Sequence, residues 1–250
     1  MVDPDRDGLQ TTTTSLEIVD LISEMEGARM SELARRLDCS TSTVHAHLQT
    51  LLEQEYLIKR GEHYLLGLKL FHLGEQARTR NEWFDTVRTT VTALADRSGE
   101  EAGFGVEEHG RVITLFNFAA NRSTKGFQVG RYFYMHNSAA GKAILSQFSE
   151  AQINEILNHR GMPVETDNTI TDRQTLFETL DDVRERGYAV NDQESIEGAR
   201  AVAVPVTDPR DDVLGALDIS GPTYRLASDE ELAAMISDAV EELERKLYSR

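Results

Sequence analysis

Between Ser15 and Leu52 the chain repeats apolar residues at helical spacing three times, broken twice by turn chemistry, and few folds accommodate that pattern. Ile18, Leu21, Ile22 and Met25 stand at i, i+3, i+4 and i+7, the buried stripe of a helix that Ser15 is placed to cap and Gly27 to end. Ser31 and Glu32 open a short second helix carrying Leu33, Ala34 and Leu37. Asp38-Cys39 connects to a third, for which Ser40 is the N-cap and Val44, Leu48, Leu51 and Leu52 form the inner face. Two short helices joined by a tight turn are a helix-turn-helix. Leu57-Ile58-Lys59-Arg60, Gly61-Glu62 and His63-Tyr64-Leu65-Leu66 then spell strand, turn and strand, which adds a wing.

A winged helix-turn-helix is a device for reading duplex DNA, so the outer face of its third helix names the candidate contacts. At 100° per residue, a core face on Val44, Leu48 and Leu51 turns Ser42, His45, Ala46, Gln49 and Glu53 outward. Thr41, Ser42 and Thr43 offer short hydroxyls to phosphates or base edges, His45 and Gln49 reach base acceptors, and the cap Ser40 is a further DNA-binding candidate. Arg35 on the second helix, with Lys59 and Arg60 on the wing, is a candidate for phosphates, and Ser31 is a further DNA-binding candidate. His47 lies about 60° from the core centre, at the flank, and Glu53 would repel a nearby phosphate. The alternative is a protein-interaction module built from the same three helices and hairpin, without an effector pocket.

Charge opposes DNA binding at first sight. The net charge is −17, with 43 acidic residues against 26 basic ones, of which only Lys59, Lys69, Lys125, Lys142 and Lys246 are lysines. The acid thins locally, however: residues 27–60 hold five basic and four acidic side chains. An acidic, lysine-poor surface suits a salt-rich cytoplasm, where electrostatic reach is a few Å, so a halophilic host is expected. The acidic, polar N-terminus does not read as a secretory signal, and no apolar run approaches the length of a bilayer span, which places the chain in the cytoplasm, away from membranes.

Residues 1–14 end in four threonines with no apolar period and read as a mobile tail. The boundaries follow as a tail over 1–11, a winged helix-turn-helix over 12–71, a linker helix over 72–82 and a larger domain over 83–250. The amphipathic run from Gly67 to Arg80, with Leu68, Phe71, His72 and Glu75, carries the linker. Beyond Trp83 the pattern gives a helix to Ser98, then strands at 102–106 and 112–118 and a polar loop at 121–123. Helices follow at 139–147, 150–158 and 172–186, then strands at 188–191, 201–206 and 213–219 and a last helix from Ser228. The fold class is α+β, a sheet with helices packed on it.

Enzyme chemistry finds no motif. The one thiol, Cys39, lies in the turn before the third helix, and there is no nucleophile elbow, zinc-protease helix or phosphate loop. Seven scattered histidines lack metal spacing, so neither metal nor cofactor is expected.

Met30-Ser31-Glu32-Leu33-Ala34-Arg35-Arg36-Leu37, Ser40 to His45 and Tyr64 to Leu70 closely resemble the IclR family of transcriptional regulators. Met135 to Ala143 is similar to that family's His-x-x-Ala-x-Gly-Lys-Ala segment. Thr169 to Thr171, Arg186 to Val190, Glu194 to Gly198, Ala203 to Val206 and Ile219 to Pro222 match in order and spacing. The resemblance covers nearly the whole chain. It implies a GAF-like effector domain, assembly into dimers or dimers of dimers, and control of catabolic genes through double-stranded operator DNA and a small, often acidic, metabolite. Met135, Ala139, Ala140, Asn191, Ala201, Asp218 and Ser220 are the pocket candidates. His136 is expected to order its loop and Lys142 to lie on an exposed helix face. This chain departs from the family's usual residues at Ala46 (commonly Arg), His47 (apolar), Ala201 (Cys), Asn191 (acidic) and Asp218 (Ser). A carboxylate in place of that hydroxyl disfavours an acidic ligand, so the effector is expected to be neutral or unlike a simple keto acid.

Overall fold

The computed structural model describes residues 8–119, 129–210 and 212–248, in two compact units that divide between Asn81 and Glu82. The first holds α1 (Gln10–Glu24), β1 (Ala28–Arg29), α2 (Met30–Arg36), α3 (Thr41–Glu53), β2 (Leu57–Arg60), β3 (His63–Leu66) and α4 (Leu68–Arg78). Its core is the set that helical spacing picks out: Ile18 and Ile22, Leu33 and Ala34, and Val44, Leu48 and Leu51, closed by Leu57 and Tyr64 of the hairpin.

Three local details differ from the sequence expectations. Helix α1 begins at Gln10, so residues 10–14 are helical and Ser15 lies inside the helix; residues 1–7 fall outside the described set. Thr13, Thr14 and Ser15 donate their hydroxyls to the carbonyls four residues back, and Thr14 is buried. Tertiary burial thereby overrides the weak helix preference of threonine. Helix α2 starts at Met30, with the Arg29 N–H donating to the Glu32 carboxylate at 2.8 Å, so Ser31 is within it. A third strand, β1, pairs with β3 through Ala28↔Tyr64 and Arg29↔His63, in the order β1-β3-β2. Two residues are too short to show a period in sequence.

Gly67 ties the wing to the end of α3. Its N–H donates to the Tyr56 carbonyl at 2.7 Å, and a Cβ there would stand 2.3 Å from the Glu55 carbonyl oxygen. Helix α4 buries none of its residues within this unit, leaving Leu68 and Phe71 84% and 67% exposed.

The second unit contains α5 (Phe84–Ser98), β4 (Glu101–Glu108), β5 (Arg111–Ala119), β6 (Tyr132–Tyr134), α6 (Ala139–Leu145), α7 (Glu150–Arg160), α8 (Arg173–Arg186), β7 (Ala189–Asp192), β8 (Ala199–Thr207), β9 (Val213–Pro222) and α9 (Asp229–Tyr248). The strands form one antiparallel sheet in the order β6-β5-β4-β9-β8-β7. β4 and β9 pair at its centre although more than 100 residues separate them. β6 has no counterpart in the sequence reading, and the polar loop expected at 121–123 lies outside the described residues.

Alternation assigns the two faces of this sheet. Ala102, Phe104, Val202, Val204, Leu217 and Ile219 join α5 and α9 in one core. The opposite face carries smaller residues, among them Ala201, Ala203 and Ala216, which pack with α6, α7 and α8 in a second core. Helix α6 lies so close to the loop before it that a Cβ on Gly141 would meet the Met135 carbonyl oxygen at 2.3 Å. Every residue of α6 is buried, which overturns the expectation that Lys142 sits on an exposed face: a helix covered on all sides has no such face, and Lys142 is 2% exposed. No described helix is long and apolar enough to cross a membrane.

Candidate functional site

Two surfaces bring chemistry together. On the first unit, the Ser40 hydroxyl accepts the Thr43 N–H at 3.1 Å and starts α3; it also lies 2.8 Å from the Ser42 and Thr43 hydroxyls. Because Val44, Leu48 and Leu51 are turned into the core, Thr41, Ser42, Thr43, His45, Ala46 and Gln49 are exposed. The Gln49 amide donates to the Glu53 carboxylate at 2.9 Å, which orients its side chain along the open face. Ser31 and Arg35 on α2 and Lys59 and Arg60 on β2 are also exposed, and the Lys59 ammonium sits 5.1 Å over the Tyr64 ring. His47 is half-buried at the flank with Nδ1 2.8 Å from the Ser15 hydroxyl. Ser15 therefore holds a histidine on the neighbouring helix instead of capping its own.

The second surface is a cavity of about 40 Å³ between α6 and the small-residue face of the six-stranded sheet. One ordered water occupies roughly 10–15 Å³ on this scale, so there is room for a few heavy atoms. Ala139, Ala140, Asn191, Ala201 and Asp218 line it. Met135 and Ser220 do not: Met135 is in the core beneath α6, and Ser220 is buried with its hydroxyl unpartnered. Gly103, Gly105, Val112, Thr114, Asn117, Phe133, Ser138 and Ser195 are the other described residues of the wall. Sequence reading missed these because a lining residue is defined by register: Gly103 is placed beside Asp218 only by the pairing of β4 with β9.

Asp218 is the ionisable group among the described residues of that wall. Burial, reinforced by the negative charge of Glu101, pushes its carboxyl up to about 7. It takes its place because Gly103 opposite has no side chain; a Cβ there would stand 2.6 Å from Asp218 Oδ2. Asn191 organises the neighbouring turn, donating from Nδ2 to the Ser195 hydroxyl and accepting the Glu194 N–H on Oδ1, both at 2.8 Å. Glu194 in turn pairs with Lys142, and its carbonyl accepts the Thr166 and Thr169 hydroxyls at 3.1 and 2.6 Å. His136 is buried with Nε2 3.2 Å from the Pro163 carbonyl, and burial lowers its pKa. That contact ties the loop before α6 to the segment after α7.

Among the described residues, no group of three or more His, Cys, Asp or Glu is arranged to hold a metal ion. Cys39, half-buried in the turn between α2 and α3, is in the other unit from the cavity.

Known proteins match both units. Residues 13–61 fit the model of the IclR helix-turn-helix domain, and residues 76–245 that of the C-terminal part of bacterial IclR transcriptional regulators. The HTH-type transcriptional regulator BhcR of Paracoccus denitrificans is 31% identical over 246 residues, covering 97% of this chain and 88% of the relative. The acetate operon repressor of Salmonella typhimurium is 30% identical over 243 residues, covering 94% and 89%. The crystal structure of the Thermotoga maritima IclR superposes with a TM-score of 0.76 at 25% identity, covering 96% of this chain and 99% of that one. These relatives are transcriptional regulators and not enzymes. The chain belongs to the IclR family of helix-turn-helix transcriptional regulators.

Proposed function

We propose that this regulator reads an operator with α3 and the wing, and that a small metabolite in the cavity of the second unit modulates that binding. The observation that carries the DNA half is the Ser40-capped face of α3, on which Thr41, Ser42, Thr43, His45 and Gln49 are exposed together while Val44, Leu48 and Leu51 anchor the helix. Ser31, Ser40, Arg35, Lys59 and Arg60 contact phosphates on this reading, which leaves sequence discrimination to His45 and Gln49. For the effector half, Ala139, Ala140, Asn191, Ala201 and Asp218 are proposed as ligand contacts, with Met135 and Ser220 acting from behind the wall.

The genes controlled serve catabolism, in line with the acetate operon repressor among the relatives. The protein works in the cytoplasm as a homodimer or dimer of dimers, and exposed Leu68 and Phe71 on α4 support a second copy there. The second unit acts as a GAF-like sensor, and the acidic, lysine-poor composition suits a halophilic host. Coupling runs through α4, the helix ahead of the second unit. Gln76→Pro should uncouple the ligand response while sparing ligand binding, because proline removes a helical hydrogen bond.

Genome-wide occupancy of the tagged full chain tests the proposal, with Ser42→Ala and Gln49→Ala beside the wild type. Discrete peaks over a shared palindrome that the variants lose are expected. A wild type without enrichment would leave a winged-helix interaction protein as the better reading.

A further inference from the structure

We infer that the cavity under α6 takes a small ligand bearing a cationic amine, with its ammonium seated against the Asp218 carboxylate. This rests on the reading of the second unit as an effector domain. Asp218 has no hydrogen-bond or ion-pair partner among the described residues, although its carboxyl borders the cavity. Asp218 is half-buried and faces the cavity without a described partner, and a carboxylate partly withdrawn from water gains from a cation that pairs with it there.

The surroundings favour a cation there. Every other described lining residue is uncharged, and the polar ones, such as Thr114, Asn117 and Ser138, offer only hydroxyls and amides. The buried cation on α6, Lys142, is already engaged by Glu194 and is not part of the wall. Facing Asp218 from β4 are Gly103 and, two residues earlier on the same face, Glu101, whose negative charge reaches the carboxyl. Strand β8 presents Ala201 and Ala203, and α6 presents Ala139 and Ala140, none of them charged. A carboxylate ligand would add a negative charge to this set, whereas an ammonium would neutralise one.

Gly103 is what keeps Asp218 available. Any side chain at that position would press on Oδ2 at 2.6 Å, so the bare backbone leaves the carboxylate uncovered. The volume of about 40 Å³ limits the ligand to a few heavy atoms. Withdrawal from water pushes the carboxyl up to about 7, so an ammonium that binds only the ionised form must bind more tightly as pH rises.

The test is calorimetry and thermal shift on the full chain with ethanolamine, methylamine, glycolate and ethylene glycol, all small enough for the cavity and differing in charge. The expected result is that ethanolamine or methylamine binds, with a Kd about tenfold tighter at pH 8 than at pH 6, following the ionised fraction of a group titrating near 7. Asp218→Asn should weaken that binding at least tenfold and abolish its pH dependence. Asp218→Ser serves as a second variant should the first fold poorly, and the wild-type pH profile needs neither. Glycolate or ethylene glycol binding as tightly as the amines, or no binding by either amine, overturns the inference. Operator binding measured in the same samples separates the two readings. Glycolate-driven release of DNA sinks the amine and keeps the regulator, whereas a wild type that binds no DNA sinks the regulator reading itself.

Discussion

Lys142 of α6 and Glu194 of the turn after β7 form an ion pair that is 2% and 7% exposed, fastening together two walls of the cavity. Ser138, Ala139 and Ala140 line it from the α6 side, and Asn191 and Ser195 from the β7 side. Burial pulls the Lys142 pKa down and pushes that of Glu194 up, each opposed by the charge of the other. The second carboxylate oxygen of Glu194 is buried without a hydrogen-bond partner, so the pair satisfies its charges incompletely.

Lys142→Met should therefore destabilise the protein by about 3–5 kcal/mol, because it strands a buried carboxylate. Adding Glu194→Leu should recover most of the loss, since an apolar pair of similar volume needs no solvation. Urea denaturation of the two variants checks this. A single variant as mild as a surface change would mean that the pair is solvated.

Asp218 predicts a pH dependence with a definite sign. Its folded pKa of about 7 is above the ordinary value of 3.8, so its contribution is fully present below 3.8 and is lost as pH rises through 7. Relative to Asp218→Asn, the ligand-free wild type should lose stability between pH 4 and pH 8, by at most on the order of 4 kcal/mol. Denaturation midpoints of the two proteins across that range measure the difference. Parallel curves would place the carboxyl in contact with bulk water.

The cap on the recognition helix is a single hydroxyl. Ser40→Ala should cost about 1 kcal/mol and Ser40→Gly only a few tenths, because glycine adopts the capping conformation more easily. Thermal melts of the full chain, read at the transition of the first unit, distinguish them.

Gln49 and Lys59 should fail in different ways on DNA. With Gln49 proposed to read base edges through its exposed amide, Gln49→Ala is expected to lose about 1–3 kcal/mol on the cognate operator and little on unrelated duplex. Lys59→Ala should weaken both equally and flatten the salt dependence by about one counterion. Fluorescence anisotropy against salt, with cognate and scrambled duplexes, separates the roles. Equal losses for Gln49→Ala on both duplexes would make it a phosphate contact.

Much of the first unit was legible because its instructions are local. The spacing of Ile18 and Ile22, Leu33 and Ala34, and Val44, Leu48 and Leu51 places three buried stripes on three helices, and Ser40 marks where the last begins. Local rules misread the entry to α1, where the threonines that suggest a tail are held helical by their own hydroxyls and by burial of Thr14. They also missed β1, which exists only because β3 offers it an edge.

By itself the sequence determined the helical and strand periods, the exposed face of α3 and the family likeness, since each is written in residues close together along the chain. Tertiary structure alone decided the cavity and its charge. Gly103 and Asp218 become neighbours only when β4 pairs with β9. Lys142, polar and on a short helix, reads as exposed until packing covers every side of α6 and Glu194 arrives from 52 residues away. The reason is physical: burial and charge depend on what folds over a residue, and that partner's position is set by sheet register and layer packing rather than by neighbours in the chain.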